Sequence, residues 1–363
     1  MSHFSDGPLL AAYGWDESLE DEFSVHSAAG LTPARVVAVH RGLCEAVTAD
    51  GPARASTPHA DRAADPMAAP CTGDWAALHP AGPDGRPMLA ALLPRRTAIV
   101  RAGSSRDSRG QVLAANVDTV AVTVSAAARP APARLERLLA LAFESGARPV
   151  VVLTKADEVG PADVALAEAE AAEAAPGVDV VSCSALAGDG VDVVRAVLSG
   201  TVVLLGPSGA GKSTLGNALL GDAVLATGAV RAGDGKGRHT TVRRELLPLP
   251  GGGVLIDTPG LRGVGLQDAG EGLRRTFADV EELAARCRFG DCAHDTEPGC
   301  AVLAAVDDGS LSRRRLDGYR KLLREGAWAA ARSDARLRAE REGHRKALTK
   351  WQRQMYKERG RDR

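Results

Sequence analysis

The 363-residue sequence predicts an α/β domain with a parallel sheet, preceded by a small β-barrel and followed by a helical module built around a metal ion. Three observations predict it. From about residue 113 to 268, Val/Leu-rich strands alternate with amphipathic helices. Such β–α repetition, with strands apolar on both faces, requires helices on both faces of the sheet. Ahead of it run short β-like segments separated by turn residues, and after it three cysteines and a histidine gather between Cys287 and Cys300.

Each element follows in order. Residues 1–30 form a polar, acidic extension in which YGWDESLEDEF reads as a short helix packed on the first domain. Residues 31–112 carry ARVVAVHRGLCEAVTADG, GDWAALHP and PMLAALLPRRTAIVRAG, whose spacing suits a small β-barrel. Pro52–Pro70, rich in Ala, Pro and Asp, reads as a flexible loop inside that barrel. Residues 113–268 supply the strands VDTVAVTVS, RPVVVLTKAD, VDVVSCSA, TVVLLG, RRELLPLP and GGGVLIDTPG. Between them lie the helices ARLERLLALAFESG, PADVALAEAEAAEAA, VDVVRAVLSG and GKSTLGNALLG. Residues 269–363 are helical around the Cys/His cluster and end in a basic tail.

Composition narrows the class. A hydrophobic content of 45% supports packed cores, although aromatics are only 3%. The N-terminus lacks a basic leader with an apolar run, and no apolar stretch reaches the ~20 residues of a membrane span, so a cytoplasmic protein without membrane contact is expected. The net charge of -1 hides an asymmetry: residues 313–363 hold 18 Lys and Arg against 7 Asp and Glu, the rest 27 against 39. A basic tail on an acidic body suits a polyanionic partner such as RNA or an acidic protein face, or else a solvated Arg-rich helix.

Gly206-Pro207-Ser208-Gly209-Ala210-Gly211-Lys212-Ser213-Thr214 follows the strand TVVLLG and opens a helix. Its glycines let backbone N–H groups close around phosphates, Lys212 would reach the β- and γ-phosphates, and the Ser213 hydroxyl would ligate Mg²⁺. The helix N-terminus adds favourable partial charge. Downstream, Asp257-Thr-Pro-Gly260 ends a strand, where Asp257 would hold Mg²⁺ through water and the Gly260 N–H would sense the γ-phosphate. The intervening GDGKGRHTT reads as a switch loop whose Thr241, rather than Thr240, would complete Mg²⁺ coordination.

The base is read elsewhere. In VVVLTKAD, Asp157 would accept from guanine N1–H and the 2-amino group, a pattern adenine does not offer. Lys155 would lie along the base plane and Thr154 would buttress the loop where Asn is commoner. One helix later, the Ser184-Ala185 backbone would meet guanine O6. Leu261 follows DTPG where many GTPases carry a water-orienting Gln, so His239 in the switch loop is the catalytic candidate beside Lys212. Slow basal hydrolysis, dependent on a partner, is the consequence.

Cys287-x4-Cys292-x-His294-x5-Cys300 supplies three thiolates and an imidazole, the closed shell of one structural Zn²⁺. The remaining cysteines are scattered, which fits a reducing compartment rather than a disulfide framework.

Together, VVVLTKAD before GPSGAGKST, then GRHTT, DTPG and the Cys/His cluster resemble the ribosome small-subunit-dependent GTPase A family (RsgA/YjeQ), the circularly permuted GTPases. GLCEAV, GDW, LLPRRTAIVR and QVLAANVD resemble that family's OB-fold and its junction, and RRRLDGYRKLLRE its C-terminal helix. The resemblance implies a GTPase that binds 16S rRNA in the 30S subunit near the decoding region during late maturation. It further implies a monomer that hydrolyses GTP to GDP on stimulation by the subunit, then leaves. The Pro52–Pro70 insertion and the acidic extension depart from a minimal member. Two other readings stand beside it: an RNA-binding adaptor that uses GTP as a switch with little turnover, and a P-loop ATPase or kinase in which T-K-A-D is coincidental.

Overall fold

In the computed structural model the described residues are 8–57, 66–80, 85–101, 110–129, 131–225, 244–257, 270–328 and 339. The acidic extension folds as α1 (Pro8–Ala12) and α2 (Glu17–Ala28). Asp16 caps α2 by accepting from the Leu19 N–H at 2.8 Å, which satisfies one of the helix's unpaired N-terminal donors. Leu19 and Phe23 point inward, and Trp15 meets Trp75 edge to face at 5.1 Å, so the extension lies on the barrel as its sequence suggests.

The barrel comprises β1 (Thr32–His40), β2 (Leu43–Thr48), β3 (Gly51–Ser56), β4 (Trp75–His79) and β5 (Met88–Leu92). Its strands run in the order β1-β2-β3-β5-β4 and close β4 on β1, the Greek-key arrangement of an OB-fold. The expected loop at Pro52–Pro70 starts later than its composition suggests. Pro52 to Ser56 belong to β3, with Pro52 opposite Val47; residues 58–65 lie outside the described set. The run PMLAALLPRRTAIVRAG also divides. After β5 the chain leaves the barrel, and β6 (Ala98–Arg101) pairs with β7 (Gln111–Ala115) as a separate ribbon.

The six-stranded sheet contains β8 (Thr119–Ser125), β9 (Arg148–Thr154), β10 (Val180–Ser182), β11 (Thr201–Leu205), β12 (Glu245–Pro248) and β13 (Val254–Asp257). Its spatial order is β10-β9-β8-β11-β13-β12. Five strands are parallel, but β12 runs antiparallel to β13. The all-parallel expectation is therefore corrected at this edge, because the two strands are joined by a tight turn through Gly251–Gly253 that leaves no room for a crossover helix.

Alternate side chains feed two cores. Val120, Val122, Val151 and Leu153 face α3 (Pro132–Glu144) and α4 (Pro161–Ala174). Ala121, Val150, Val152, Val202 and Leu204 face α5 (Val191–Val197) and α6 (Lys212–Leu220). Each Val or Leu so buried contributes about 1.5–3 kcal/mol, which fixes the register of every strand.

Barrel and sheet meet at Arg35. Its guanidinium is buried over the Trp75 ring at 4.5 Å and donates to Thr201 Oγ1, at the start of β11, at 3.0 Å. Burial pulls its pKa down to about 10, opposed by Asp118 and Asp74.

Past the sheet come α7 (Gly270–Thr276), α8 (Ala278–Ala284), α9 (Ala301–Asp307) and α10 over 313–328. They share a core of Leu273, Phe277, Val280, Val302, Leu316 and Tyr319 that also takes in Ala140 of α3. Helix α7 crosses α3 so closely that a Cβ on Gly272 would lie 2.2 Å from the Ala140 carbonyl oxygen. Among the described residues, no helix is long and apolar enough to cross a membrane.

Candidate functional site

The strands of the sheet end together, and their C-terminal loops carry the predicted residues. The order of connection across the sheet reverses between β8, which leads to β9 on one side, and β11, which leads toward β13 on the other. That reversal opens a crevice at the strand ends, where α/β sheets bind ligands.

The phosphate loop fills one side of it. Gly206 lies so near β8 that a Cβ there would sit 2.1 Å from the Thr123 carbonyl oxygen. Gly209 and Gly211 take φ of +79° and +76°, conformations that L-residues with a Cβ rarely adopt. Lys212 Nζ donates to the Gly206 and Pro207 carbonyls at 2.8 and 2.6 Å, so the ammonium lies along the loop at the foot of α6. Asp257 ends β13 nearby. Its carboxyl is raised above the usual range by burial first and by Glu245 second, while Lys212 opposes the shift.

Glu245 was not among the sequence-predicted residues. It pairs directly with Asp257 across β12 and β13, so the two carboxylates project from the same face. The signal for it is the antiparallel register, which no local pattern in RRELLPLP reveals.

The loops expected from the sequence to read the base occupy the other side, two strands from β11 and so about 10 Å away. Lys155 adopts a left-handed conformation, φ 61°, which turns the chain sharply at the end of β9. Asp157 stands exposed in the 3₁₀ turn Ala156–Glu158, and Lys155 Nζ pairs with Glu158 at 3.0 Å. The second loop is stitched to the first: Cys183 N–H donates to Leu153 O at 2.8 Å, and Ala156 N–H to Cys183 O at 3.2 Å. Ser184 is buried, and its hydroxyl accepts from Ala187 N–H at 3.0 Å, closing the turn that presents Ala185. Thr154 joins both halves of the crevice, donating to Ala210 O at 2.7 Å. The buttress expected of Thr154 is therefore a direct bond to the phosphate loop. His239, Thr241 and Gly260 lie outside the described residues, as does Leu261.

The Cys/His group forms a second, separate site. The ligand atoms of Cys287, Cys292, His294 and Cys300 all lie within 4.8 Å of one another. The Cys287 and Cys300 sulfurs are 3.8 Å apart, and His294 Nδ1 lies 3.6 and 3.5 Å from them. A tetrahedral ion with ~2.3 Å metal–sulfur bonds has edges of about 3.8 Å. The group fits such an ion. Its loop is held in a tight turn: His294 takes φ 58°, and Glu297 accepts from the N–H groups of Ala293, Asp295 and Thr296. Cys300 also caps α9, accepting from Leu303 N–H at 3.4 Å.

Known proteins share both the sequence and the fold. The model of the RsgA GTPase family matches residues 92–267. The small ribosomal subunit biogenesis GTPase RsgA of Streptomyces coelicolor is 56% identical over 93% of this chain and 92% of its own length. That of Xanthomonas axonopodis pv. citri is 43% identical over 92% of each. Among solved structures, YjeQ from Thermotoga maritima aligns with a TM-score of 0.62 at 24% identity, covering 82% of this chain and 99% of that one. YloQ, described as a circularly permuted GTPase, aligns at 0.59 and 23% identity, with 82% and 95% covered.

Proposed function

The chain belongs to the RsgA GTPase family, and from that premise we propose how its residues serve small-subunit biogenesis. The protein is a circularly permuted GTPase that acts in maturation of the 30S ribosomal subunit. The observation that carries the reading is the crevice, in which a base-reading loop and a phosphate loop are bonded to each other through Thr154.

In the proposed complex, Asp157 and the Ser184-Ala185 backbone hold guanine, and residues Gly206–Thr214 wrap the phosphates. Lys212 neutralises the β- and γ-phosphates. Ser213 and Asp257, with Thr241 from the switch loop, would hold Mg²⁺, which supplies charge stabilisation at the γ-phosphate. The fit rests on Asp257, whose raised carboxyl marks a site where two acids face each other and a cation relieves them. His239 orients the attacking water when the subunit stimulates the protein, and Gly260 senses the γ-phosphate. Partners of the 30S complex include 16S rRNA, contacted by the OB-fold (31–112) and the basic tail as phosphate contacts. The GTPase domain spans 113–268, the zinc-binding domain 269–363, and the protein acts as a monomer.

The deciding experiment is GTP hydrolysis with and without purified ribosomal subunits. Stimulation by 30S and not by 50S is expected, with a steep loss on raising salt. Tight GTP binding with no turnover in the presence of 30S would favour a nucleotide-switched adaptor instead.

The metal is proposed to be Zn²⁺ in a structural role, because four protein ligands close the shell. Chelation, or Cys300→Ser, is expected to unfold residues 287–307 and lower thermal stability while GDP binding by the sheet persists. Equal loss of GDP binding and module structure would show that the two sites do not fold separately. Metal content per chain is the direct readout.

A further inference from the structure

We infer that Glu245 is a positioning residue for the metal of the phosphate site, a second carboxylate beside Asp257 that makes nucleotide binding in this chain depend steeply on Mg²⁺. The inference rests on the reading of the crevice as a nucleotide and Mg²⁺ site. Glu245 opens β12 directly opposite Asp257, the last residue of β13. Opposed residues of an antiparallel pair have Cβ atoms about 4.5–5.5 Å apart. One step along, Leu246 faces Ile256, and both belong to the core under α3 and α4. Side chains alternate along a strand, so Glu245 and Asp257 take the other face, the one on which Leu255 shares a core with Leu215 and Leu219 of α6. Helix α6 begins at Lys212 and carries Ser213 in its first turn. The extra carboxylate thus lies on the side of the sheet where the proposed Mg²⁺ ligands gather.

Like charges set directly opposite one another weaken a sheet, and the neighbouring cations do not pair with Glu245. Among the described residues Glu245 makes no hydrogen bond or ion pair. Lys212 attracts Asp257 but donates its protons to the Gly206 and Pro207 carbonyls. Arg244, the next residue along the chain, has Cys71 and Arg101 as its electrostatic neighbours instead. The two acids do feel each other: after burial, Glu245 is the next cause that raises the Asp257 carboxyl. This edge of the sheet therefore carries one negative charge more than pairing within the described chain accounts for.

A divalent cation at Ser213 and Asp257 gives that charge a use. Mg²⁺ keeps several of its waters when bound, so a carboxylate one strand away can act through the ion's water shell and through its field alike. With the cation bound, Glu245 strengthens the hold on it. Without the cation, the same carboxylate repels the phosphates of the nucleotide. Glu245 therefore favours nucleotide and metal together and disfavours the nucleotide alone, which is a coupling between the two ligands.

The test compares the full-length wild type with Glu245→Gln, which keeps the size of the side chain and removes its charge. Dissociation constants for the non-hydrolysable GTP analogue guanylyl imidodiphosphate are measured in EDTA and across a Mg²⁺ titration, beside the melting temperature of the nucleotide-free protein. In EDTA the variant is expected to bind the analogue about threefold tighter than wild type, because one repelling charge is gone. Its nucleotide-free form should melt higher, the opposed charges having been relieved. The Mg²⁺ concentration that gives half of the strengthening should rise by about five- to tenfold, the effect of one nearby charge at a protein surface. Glu245→Asp, which keeps the charge, is expected to hold that midpoint within about twofold of wild type. A residue that only packs β12 would instead lower the melting temperature and weaken binding equally with and without Mg²⁺, and that result overturns the inference. If wild-type binding of the analogue does not respond to Mg²⁺ at all, the metal reading of the crevice itself fails; a Mg²⁺ response of the same midpoint in wild type and Glu245→Gln sinks only the role given to Glu245.

Discussion

Asp157→Asn is expected to lower affinity for GTP and GDP by about a hundred- to a thousandfold and to raise affinity for xanthosine nucleotides. The exposed carboxylate of Asp157 stands at the mouth of the base-reading turn. It would accept two hydrogen bonds from guanine, each charge-assisted and worth ~1.5–3 kcal/mol. The carboxamide keeps one acceptor for N1–H but sets its own N–H₂ against the 2-amino group, two donors facing each other. Xanthine carries a carbonyl at that position, and the mismatch becomes a match. Competition of GTP, XTP and ATP for the purified protein measures all three terms. Retained guanine preference in the variant would place base recognition elsewhere and would revive the ATPase or kinase reading. Because Asp157 is exposed, the fold should tolerate the change, so a loss of binding reports on recognition rather than stability.

The residues proposed for this chemistry were legible because each sits in a short window with its own physical signature. GPSGAGKST needs glycines at Gly209 and Gly211, and both take positive φ. The Cys/His cluster needs ligands close in sequence, and the structure brings all four together. Hydrophobic strands marked the sheet, and the early VVVLTKAD marked the permuted order, confirmed by β9 preceding β11 in the chain while both line one crevice.

What stayed hidden was long-range polar pairing. Glu136 sits in ARLERLLALAFESG, where a charge reads as the solvated face of an amphipathic helix, yet it is fully buried. Arg35 lies in a strand whose alternation gives no hint that its guanidinium reaches Thr201 in another domain's strand. Arg315 lies in RRRLDGYRK, which reads as basic surface. Instead, Arg314 and Arg315 both pair with Glu136, and Arg320 donates to the His294 carbonyl. The partner of a buried charge is chosen by the three-dimensional packing, and no local spacing encodes it.

The same pairing changes how nucleotide state could reach the metal module. In the sequence, DTPG leads directly into that module, which suggests a lever worked through the covalent connection. In the structure the module is held on the GTPase domain independently of that connection. Glu144, at the end of α3, accepts from Gly272 N–H at 2.8 Å, and α7 lies against α3 with only a glycine's clearance. Asp257, at the end of β13, and Gly270, at the start of α7, thus belong to elements that are each anchored on the GTPase domain.

Arg315→Met is accordingly expected to destabilise the protein by ~3–5 kcal/mol, the usual consequence of removing one member of a buried ion pair. Arg315 is 2% exposed and serves four elements at once. It donates to Glu136 Oε1 on α3 at 3.0 Å, to Ala174 O at the end of α4 at 3.0 Å, to Thr276 O at the end of α7 at 2.6 Å, and to Asp279 on α8 at 2.9 and 3.1 Å. Its guanidinium also lies 4.2 Å over the Phe277 ring. Methionine can fill the volume but leaves the Glu136 carboxylate with Arg314 alone, and leaves the Ala174 carbonyl without this donor. Glu136→Leu in the same chain removes the stranded charge, so the double variant should recover part of the loss; a hydrophobic pair in place of a buried ion pair is often neutral. Denaturant unfolding of the four members of this cycle gives the coupling directly, and a sum of independent single losses would show that the pair does not hold the junction. The functional signature differs from that of a nucleotide-site lesion. GDP binding in the crevice, none of whose proposed ligands Arg315 touches, should survive in Arg315→Met at temperatures where it remains folded. Stimulation by 30S should fall, because the metal module no longer keeps its place on α3 when the subunit grips it.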